Sequence, residues 1–233
     1  MRAGPPAEAA RRPRARDGYP DGVDLHLSLQ PDADALLSEN PLALLIGMVL
    51  DQQIPLEWAF AGPATLQRRL GRPLDAADLA AMDVDDLVAA FAERPALHRY
   101  PRAMAARVHD LCSLLVDRYD GRADAVWADV SSGPELVARL QDLPGFGAQK
   151  AKIFAALLGK QAGVRPSGWR RATSPYGDAG TFCSVADITG EASLAKVRAY
   201  KQDMKAAARE AKAATAATAP KGSSRRRTPA GRQ

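Results

Sequence analysis

The sequence has no long hydrophobic segment and few cysteines, and these absences exclude several classes of protein. Its longest apolar run, Leu42 to Leu50, is nine residues, whereas a helix that crosses a bilayer needs about 20. We therefore expect no membrane segment, and because no apolar targeting segment stands at the N-terminus we expect a cytoplasmic protein. Cys112 and Cys183 are the two cysteines. Two are too few for a disulfide framework or for the thiolates of an ordinary iron–sulfur cluster.

Positive charge is scarce in the middle of the chain and concentrated at its ends. The whole chain carries +5. Residues 201–233 contain nine Lys and Arg against two acidic residues, and residues 1–22 contain five Arg against three, so the middle carries 5 − 7 − 2 = −4. We expect basic, disordered segments over 1–22 and 216–233 around one folded domain over 23–215. A polyanion would meet these tails first, although solubility alone also accounts for them.

Helical patterns fill most of the chain between the tails. Asn40 followed by a proline is an N-cap signal, and the apolar segment after it predicts a buried helix that continues until Pro55. The next segment predicts a helix that is interrupted at Gly62-Pro63 and ended by Gly71.

Two short amphipathic helices and a longer one are predicted next. Residues 75–82 and 83–93 each begin with Asp and repeat apolar residues at intervals of three and four. Residues 102–121 place five apolar residues along one side: Met104, Val108, Leu111, Leu115 and Val116. Because no segment alternates as a strand does, we predict an all-α fold.

The segment LPGFGAQKAKIF, residues 143–154, joins two helical patterns through a turn with two glycines. Glycine permits unusual backbone conformations and lets the main chain approach another surface. The N–H groups that begin the second helix then point outward, which suits a phosphate. We predict contacts with the DNA backbone at Leu143, Gly145, Gly147, Ala148, Gln149, Lys150 and Lys152. Phe146 and Ala151 are predicted to pack between the helices, and an ordinary tight corner is the alternative interpretation.

This turn, with LLIGMVLDQQ before it and the helices between them, resembles the helix-hairpin-helix (HhH-GPD) DNA glycosylases, the superfamily of endonuclease III. The resemblance covers roughly residues 30–165. It implies a two-lobed helical fold with a cleft between the lobes, and double-stranded DNA as the partner. In this superfamily a damaged base is turned out of the duplex into the cleft, where its bond to the sugar is cut. We expect a monomer.

Two positions of the family can be transferred residue by residue. Gln53 falls where family members place a glutamine that fills the gap left by the extruded base, and Gln52 beside it could do the same. A polar helix end is the alternative. Bifunctional members carry a catalytic lysine six residues after the leucine that opens the hairpin, which is Gln149 here. Lys150 follows one residue later, about 100° around a helix, so the resemblance implies no lyase activity.

The family's essential aspartate has no counterpart at its usual spacing. It lies about 24 residues after the same leucine, where this chain has Ser167, and a hydroxyl cannot supply the negative charge that stabilises a cationic sugar. Asp187 and Asp51 are equally ranked replacements, and Asp178 follows. The alternative role of Asp187 is a helix cap. Asp51 and Gln53 are two residues apart on the predicted helix and would face sides about 200° apart.

Residues 167–192 form a long Gly-, Ser- and Pro-rich stretch with three aromatic residues. The rings of Trp169, Tyr176 and Phe182 could stack on an extruded base, although core packing also accounts for Trp169. The scattered histidines suggest no metal site, and we predict no cofactor. Similar hairpins imply a monovalent cation held by turn carbonyl oxygens, here those of Leu143 and Gly145.

Two functions stay open from the sequence. The first is a base-excision DNA glycosylase without lyase activity. The second is a non-catalytic protein that binds damaged DNA with the same fold, which the serine at the position of the family's aspartate favours. A protein that coats DNA through its tails would explain only the ends of the chain.

Overall fold

Cap residues begin the helices where the sequence predicts them. The computed structural model describes residues 23–218, with side chains as far as 210. In it, the Asn40 side chain accepts hydrogen bonds from the N–H groups of Leu42 and Ala43 and begins the second helix. The helices of this part are α1 (Pro31–Glu39), α2 (Pro41–Leu50), α3 (Leu56–Leu70), α4 (Ala76–Ala80), α5 (Val84–Ala92), α6 (Pro101–Tyr119), α7 (Gly133–Gln141), α8 (Ala148–Gln161), α9 (Trp169–Thr173) and α10 (Glu191–Thr218).

The predicted all-α class is confirmed, since residues 23–218 contain no β-strand. Two short 3₁₀ turns, Asp124–Val126 and Val185–Asp187, complete the regular structure of this range. α10 extends three residues past the predicted domain boundary at 215. The disorder predicted for residues 1–22 and 219–233 lies outside the described residues.

α2 lies in the hydrophobic core and packs against α1, α3 and α6. Every residue from Leu42 to Leu50 is buried. Gly47 allows α3 to approach closely, because a Cβ atom there would stand 2.7 Å from the ring of Phe60. No single helix in the described part of the chain is long and apolar enough to span a membrane; α1 and α2 pass that test only together, across a bend of 117°.

The predicted interruption of the second helix is wrong, because α3 runs unbroken from Leu56 to Leu70 with Pro63 inside it. A proline in a helix interior costs about 3 kcal/mol. The buried neighbours Phe60 and Leu66 offset that cost on either side. Gly71, with φ 64°, ends the helix as predicted.

α4 and α5 both pack on α6. Asp75 and Asp83 cap their first turns through side-chain hydrogen bonds, as the sequence predicts. Four of the five apolar residues predicted to line one side of α6 are buried: Met104, Val108, Leu111 and Leu115. Val116 is 37% exposed, which contradicts the prediction. It lies about 100° around the helix from Leu115 and therefore faces away from the core.

α8 is the centre of the C-terminal half and packs against α7, α9 and the 3₁₀ turn Val185–Asp187. Trp169 lies against Gly159, where an added Cβ would stand 2.5 Å from the indole ring. Core packing of Trp169 is confirmed, since the residue is buried. Ser167 joins the start of α7, donating its N–H to the Ser131 carbonyl oxygen and accepting from the N–H of Gly133.

Candidate active site

The loop between α2 and α3 carries three of the predicted site residues. α2 ends at Leu50 rather than at the predicted Pro55, and Asp51 is its C-cap. The N–H of Gln52 turns back to the Leu50 carbonyl oxygen at 2.6 Å, and Gln53 has a left-handed backbone with φ 56°. Asp51 and Gln53 are therefore not related by helical rotation, which corrects the 200° estimate.

His98 and Arg107 hold this loop in place. The His98 ring Nε2 lies 2.7 Å from the Gln52 carbonyl oxygen. Arg107 donates a hydrogen bond from Nη1 to the Gln52 Oε1 atom at 3.1 Å, while Gln52 Nε2 donates to the Val49 carbonyl oxygen. Sequence reasoning missed both residues, because they come from 46 and 55 positions further along the chain. No local pattern marks that contact.

The turn between α7 and α8 has one of the two predicted glycine conformations. Gly145 has φ 85°, but Gly147 has φ −73° and is the N-cap of α8. Phe146 is buried between the helices and packs edge-on against Phe154, with ring centroids 5.6 Å apart, as predicted. Among residues 23–210, no side chain caps the start of α8. Its first backbone N–H groups therefore face outward at Gly147, Ala148 and Gln149, which are exposed.

Lys150 points from α8 toward the end of α2. Its Nζ donates hydrogen bonds to the carbonyl oxygens of Met48 at 2.6 Å and Val49 at 3.3 Å. Burial lowers the pKa of Lys150 to about 8, and the nearby Asp51 carboxyl opposes this shift. The ammonium therefore joins the hairpin to α2, and the phosphate contact predicted at Lys150 would use its backbone N–H. Lys152 is half-buried one turn into α8.

An open pocket of about 360 Å³ lies where the hairpin meets this loop. Gln52 and Arg107 line one side of it, and Leu143, Gly145, Phe146 and Gly147 line the other. Gln52, Gln53 and Arg107 also border a second opening of about 310 Å³ beside His98. The predicted wedge glutamines and hairpin residues therefore adjoin one surface, which carries the Arg107 guanidinium.

Asp51 faces a different pocket, of about 340 Å³. Gln149 and Ile153 of α8 form one wall, and Tyr176 with the segment 183–185 forms another. Gln149 Nε2 donates a hydrogen bond of 2.9 Å to the Tyr176 hydroxyl, so two polar groups in the pocket are oriented by each other. Tyr200, Lys201 and Met204 of α10 close the third side.

The electrostatics of Asp51 follow from that environment. Burial raises the pKa of its carboxyl above the ordinary value, while the ammonium groups of Lys201 and Lys150 oppose the rise. Glu57 adds a smaller upward contribution to this pKa. A partly desolvated carboxyl with a raised pKa, in a cleft, is a common feature of functional sites.

Asp187, in contrast, is held by hydrogen bonds and an ion pair within the folded chain. Its carboxylate accepts hydrogen bonds from Lys160 Nζ at 2.5 Å and from the backbone N–H groups of Cys183 and Ser184. It forms a capping box with Ser184 in the 3₁₀ turn, as the cap interpretation expects. Asp178 accepts from Ser174 instead.

The structure thus brings Asp51 and Gln149 together at one pocket, and Asp187 is not among the residues that line it. Ser167 is not among the residues that line that pocket. Within residues 23–210, no three His, Cys, Asp or Glu side chains are grouped so that they could hold a metal ion. Comparison with models of protein families, with curated proteins and with solved structures found no match.

Proposed function

We propose that this chain is a base-excision DNA glycosylase of the helix-hairpin-helix type, which hydrolyses the N-glycosidic bond of a damaged base in duplex DNA. The observation that carries the proposal is the position of Asp51. This carboxyl lines a pocket with polar and aromatic walls. The next residue, Gln52, lines the hairpin pocket. A base turned out beside the loop would thus enter a pocket that holds a carboxyl.

The hairpin supplies the contact with the DNA backbone. The outward N–H groups at the start of α8 suit a phosphate oxygen, and the positive end of the helix dipole favours the anion. The guanidinium of Arg107 borders the same pocket. Such contacts set the position of the duplex without selecting a sequence.

Gln53 is the better of the two candidate wedges. The side chain of Gln52 is engaged at both ends, by Arg107 and by the Val49 carbonyl oxygen. Gln53 is exposed on a left-handed backbone. Its amide is therefore free to enter the base stack and to hydrogen-bond the unpaired partner of the extruded base.

Asp51 carries the chemistry in this proposal. The C1′–N bond breaks first and its electron pair leaves with the base, while the negative charge of the ionised carboxylate stabilises the positive charge that develops on the sugar. Asp51 then takes a proton from a water molecule, whose oxygen bonds to the sugar C1′ atom. That proton passes through solvent to the departed base, which restores the ionised carboxylate. Lys201 and Lys150 favour the ionised form that these roles require.

Hydrolysis without a lyase step fits the position of Lys150. Its amine donates to two backbone carbonyl oxygens of α2 rather than to the pocket. The residue at the family's lysine position, Gln149, has no nucleophilic amine. Water is therefore the nucleophile of the proposed reaction.

One observation favours a second candidate, a non-catalytic protein that binds damaged DNA. The burial that raises the pKa of Asp51 favours the neutral acid, which cannot stabilise a cationic sugar. Such a protein would keep the hairpin, the wedge and the pocket but leave the extruded base attached.

The two candidates are separated by a panel of duplexes, each with one uracil, hypoxanthine, 8-oxoguanine, alkylated adenine or oxidised pyrimidine. The purified full chain is incubated with each duplex and with an undamaged control, and abasic sites and binding are measured together. Release of one lesion with no cleavage of the control supports the glycosylase. Preferential binding of a lesion without any abasic product supports the second candidate, and equal binding of all duplexes without any abasic product contradicts both.

A further inference from the structure

Within the part of α10 whose side chains the structure describes, the buried residues lie near its beginning. Leu194 and Val197 are buried, whereas every residue from Arg198 to Glu210 is exposed. Lys196 lies over the Phe182 ring, 4.4 Å from its centroid, and Arg198 forms an ion pair with Glu57 of α3. The helix then continues to Thr218. From Arg198 to Glu210, α10 is therefore an arm that leaves the core.

Along this exposed part of α10, the basic and the acidic residues lie on opposite sides of the helix. Arg198, Lys201, Lys205 and Arg209 follow one another at spacings of three, four and four. At about 100° per residue they fall within roughly 80° of one another, on the side that begins with the buried Leu194. The acidic residues of this part, Asp203 and Glu210, fall on the opposite side. We call the four cationic residues the basic stripe.

The basic stripe begins beside the pocket that holds Asp51. Lys201 lines the pocket that holds Asp51, and Arg198 contacts α3 just beyond the loop that carries Gln53. Lys205 and Arg209 continue the same side of the helix beyond the buried Val197. The stripe therefore starts at the mouth of the pocket and extends outward from it.

We infer that the basic stripe is a second DNA-binding surface, which lies along the phosphates of the strand next to the pocket mouth. This inference rests on the proposed function for the identity of the partner. From 198 to 209 the helix rises about 16 Å, the length of roughly five phosphates of one strand. A line of four cations suits such a regular row of single charges, and the acidic residues are kept away from it.

The test compares two variants of the full chain that change its charge equally. Lys205→Gln with Arg209→Gln removes two positive charges from the stripe without touching the pocket. Ala199→Glu with Ala207→Glu adds two negative charges to the other side of the same helix, in residues that are exposed. Circular dichroism first establishes that both variants keep the helix content of the wild type. Affinity for an undamaged duplex is then measured between 50 and 200 mM salt.

Each phosphate contact contributes about 0.9 to the slope of log affinity against log salt concentration. The inference predicts that the stripe variant loses about 2 from this slope, whereas the control variant stays near the wild type. Equal slopes for all three proteins, equal losses in both variants, or a wild type that does not bind the duplex would overturn it. Competition by polyglutamate as strong as that by DNA would also overturn it, in favour of an acidic protein partner.

The result is independent of the test of catalysis. A reduced slope in the stripe variant with no lesion released would support the arm and contradict the glycosylase. Release of a lesion with an unchanged slope would support the glycosylase and contradict DNA binding by the basic stripe.

Discussion

Lys160 and Asp187 form an ion pair in which the ammonium lies 2.5 Å from a carboxylate oxygen, with only 17% and 3% of the two side chains exposed. The pair joins α8 to the 3₁₀ turn Val185–Asp187, whose first residue lines the Asp51 pocket. Asp187 also accepts two backbone hydrogen bonds in that turn. This residue therefore has a structural role that accounts for its burial.

Asp187→Ala should reduce the free energy of unfolding by about 3 kcal/mol or more, because it leaves a buried ammonium without its partner. Urea denaturation measures the change. The double variant Asp187→Ala with Lys160→Met should recover part of the loss, since no uncompensated charge is left. A loss below about 0.5 kcal/mol in the single variant would show that the pair is not structural.

Lys150 should make stability depend on pH in the alkaline range. Its pKa is about 8 in the folded chain and about 10.4 in an unfolded one, so between these values the unfolded state binds more protons. The contribution of Lys150 to stability is therefore least favourable below pH 8 and improves as pH rises toward 10.4. The stability of the wild type relative to Lys150→Met should grow over that window. A difference that is constant from pH 7 to 10 would contradict the burial of this ammonium.

Substitutions at the two hairpin glycines should have different effects on stability and on DNA binding. A Cβ atom at Gly147 has no neighbour within 4 Å, so Gly147→Ala should change stability by less than about 0.5 kcal/mol. Its methyl group stands at the exposed start of α8, and duplex affinity should fall. Gly145→Ala is the comparison that should lose about 1 to 2 kcal/mol of stability, because φ is 85° there. Unchanged duplex affinity in Gly147→Ala would mean that DNA does not approach this residue.

Local signals predicted most of the helices. Asn40, Asp75 and Asp83 cap helices because their side-chain oxygens accept backbone N–H groups within three residues. The errors arose where tertiary contacts outweigh local preference. Pro63 is kept inside α3 by its buried neighbours, and α2 ends early at a loop that His98 holds from a distant part of the chain.

The site was harder to predict than the fold. Asp51 and Asp187 could not be ranked from the sequence, because their difference lies in what surrounds them. Lys160 reaches Asp187 across 27 residues, and Lys201 reaches the Asp51 pocket from α10. No spacing in the sequence encodes either contact.

The pH dependence of base release should report the environment of Asp51. The proposed reaction requires the ionised carboxyl, so the single-turnover rate should fall as pH drops through its pKa, at a pH above the ordinary carboxyl range of about 4. Lys201→Met removes a cation that opposes the raised pKa and should move this fall to higher pH. Lys205→Met, on the same helix but outside the pocket lining, should leave it in place. A shift of equal size in both variants would exclude a specific effect of Lys201.

The most direct test of the account is the release of a base by Asp51→Asn. This change keeps the shape of the side chain but removes its charge. It also leaves the structural ion pair between Lys160 and Asp187 in place, because Asp51 is not part of that pair. The measurement uses the lesion that the wild type releases, under single-turnover conditions, with duplex affinity determined in parallel. We predict wild-type affinity with a rate at least about 100-fold lower. A rate within a few-fold of the wild type would contradict the assignment of Asp51 as the catalytic carboxylate.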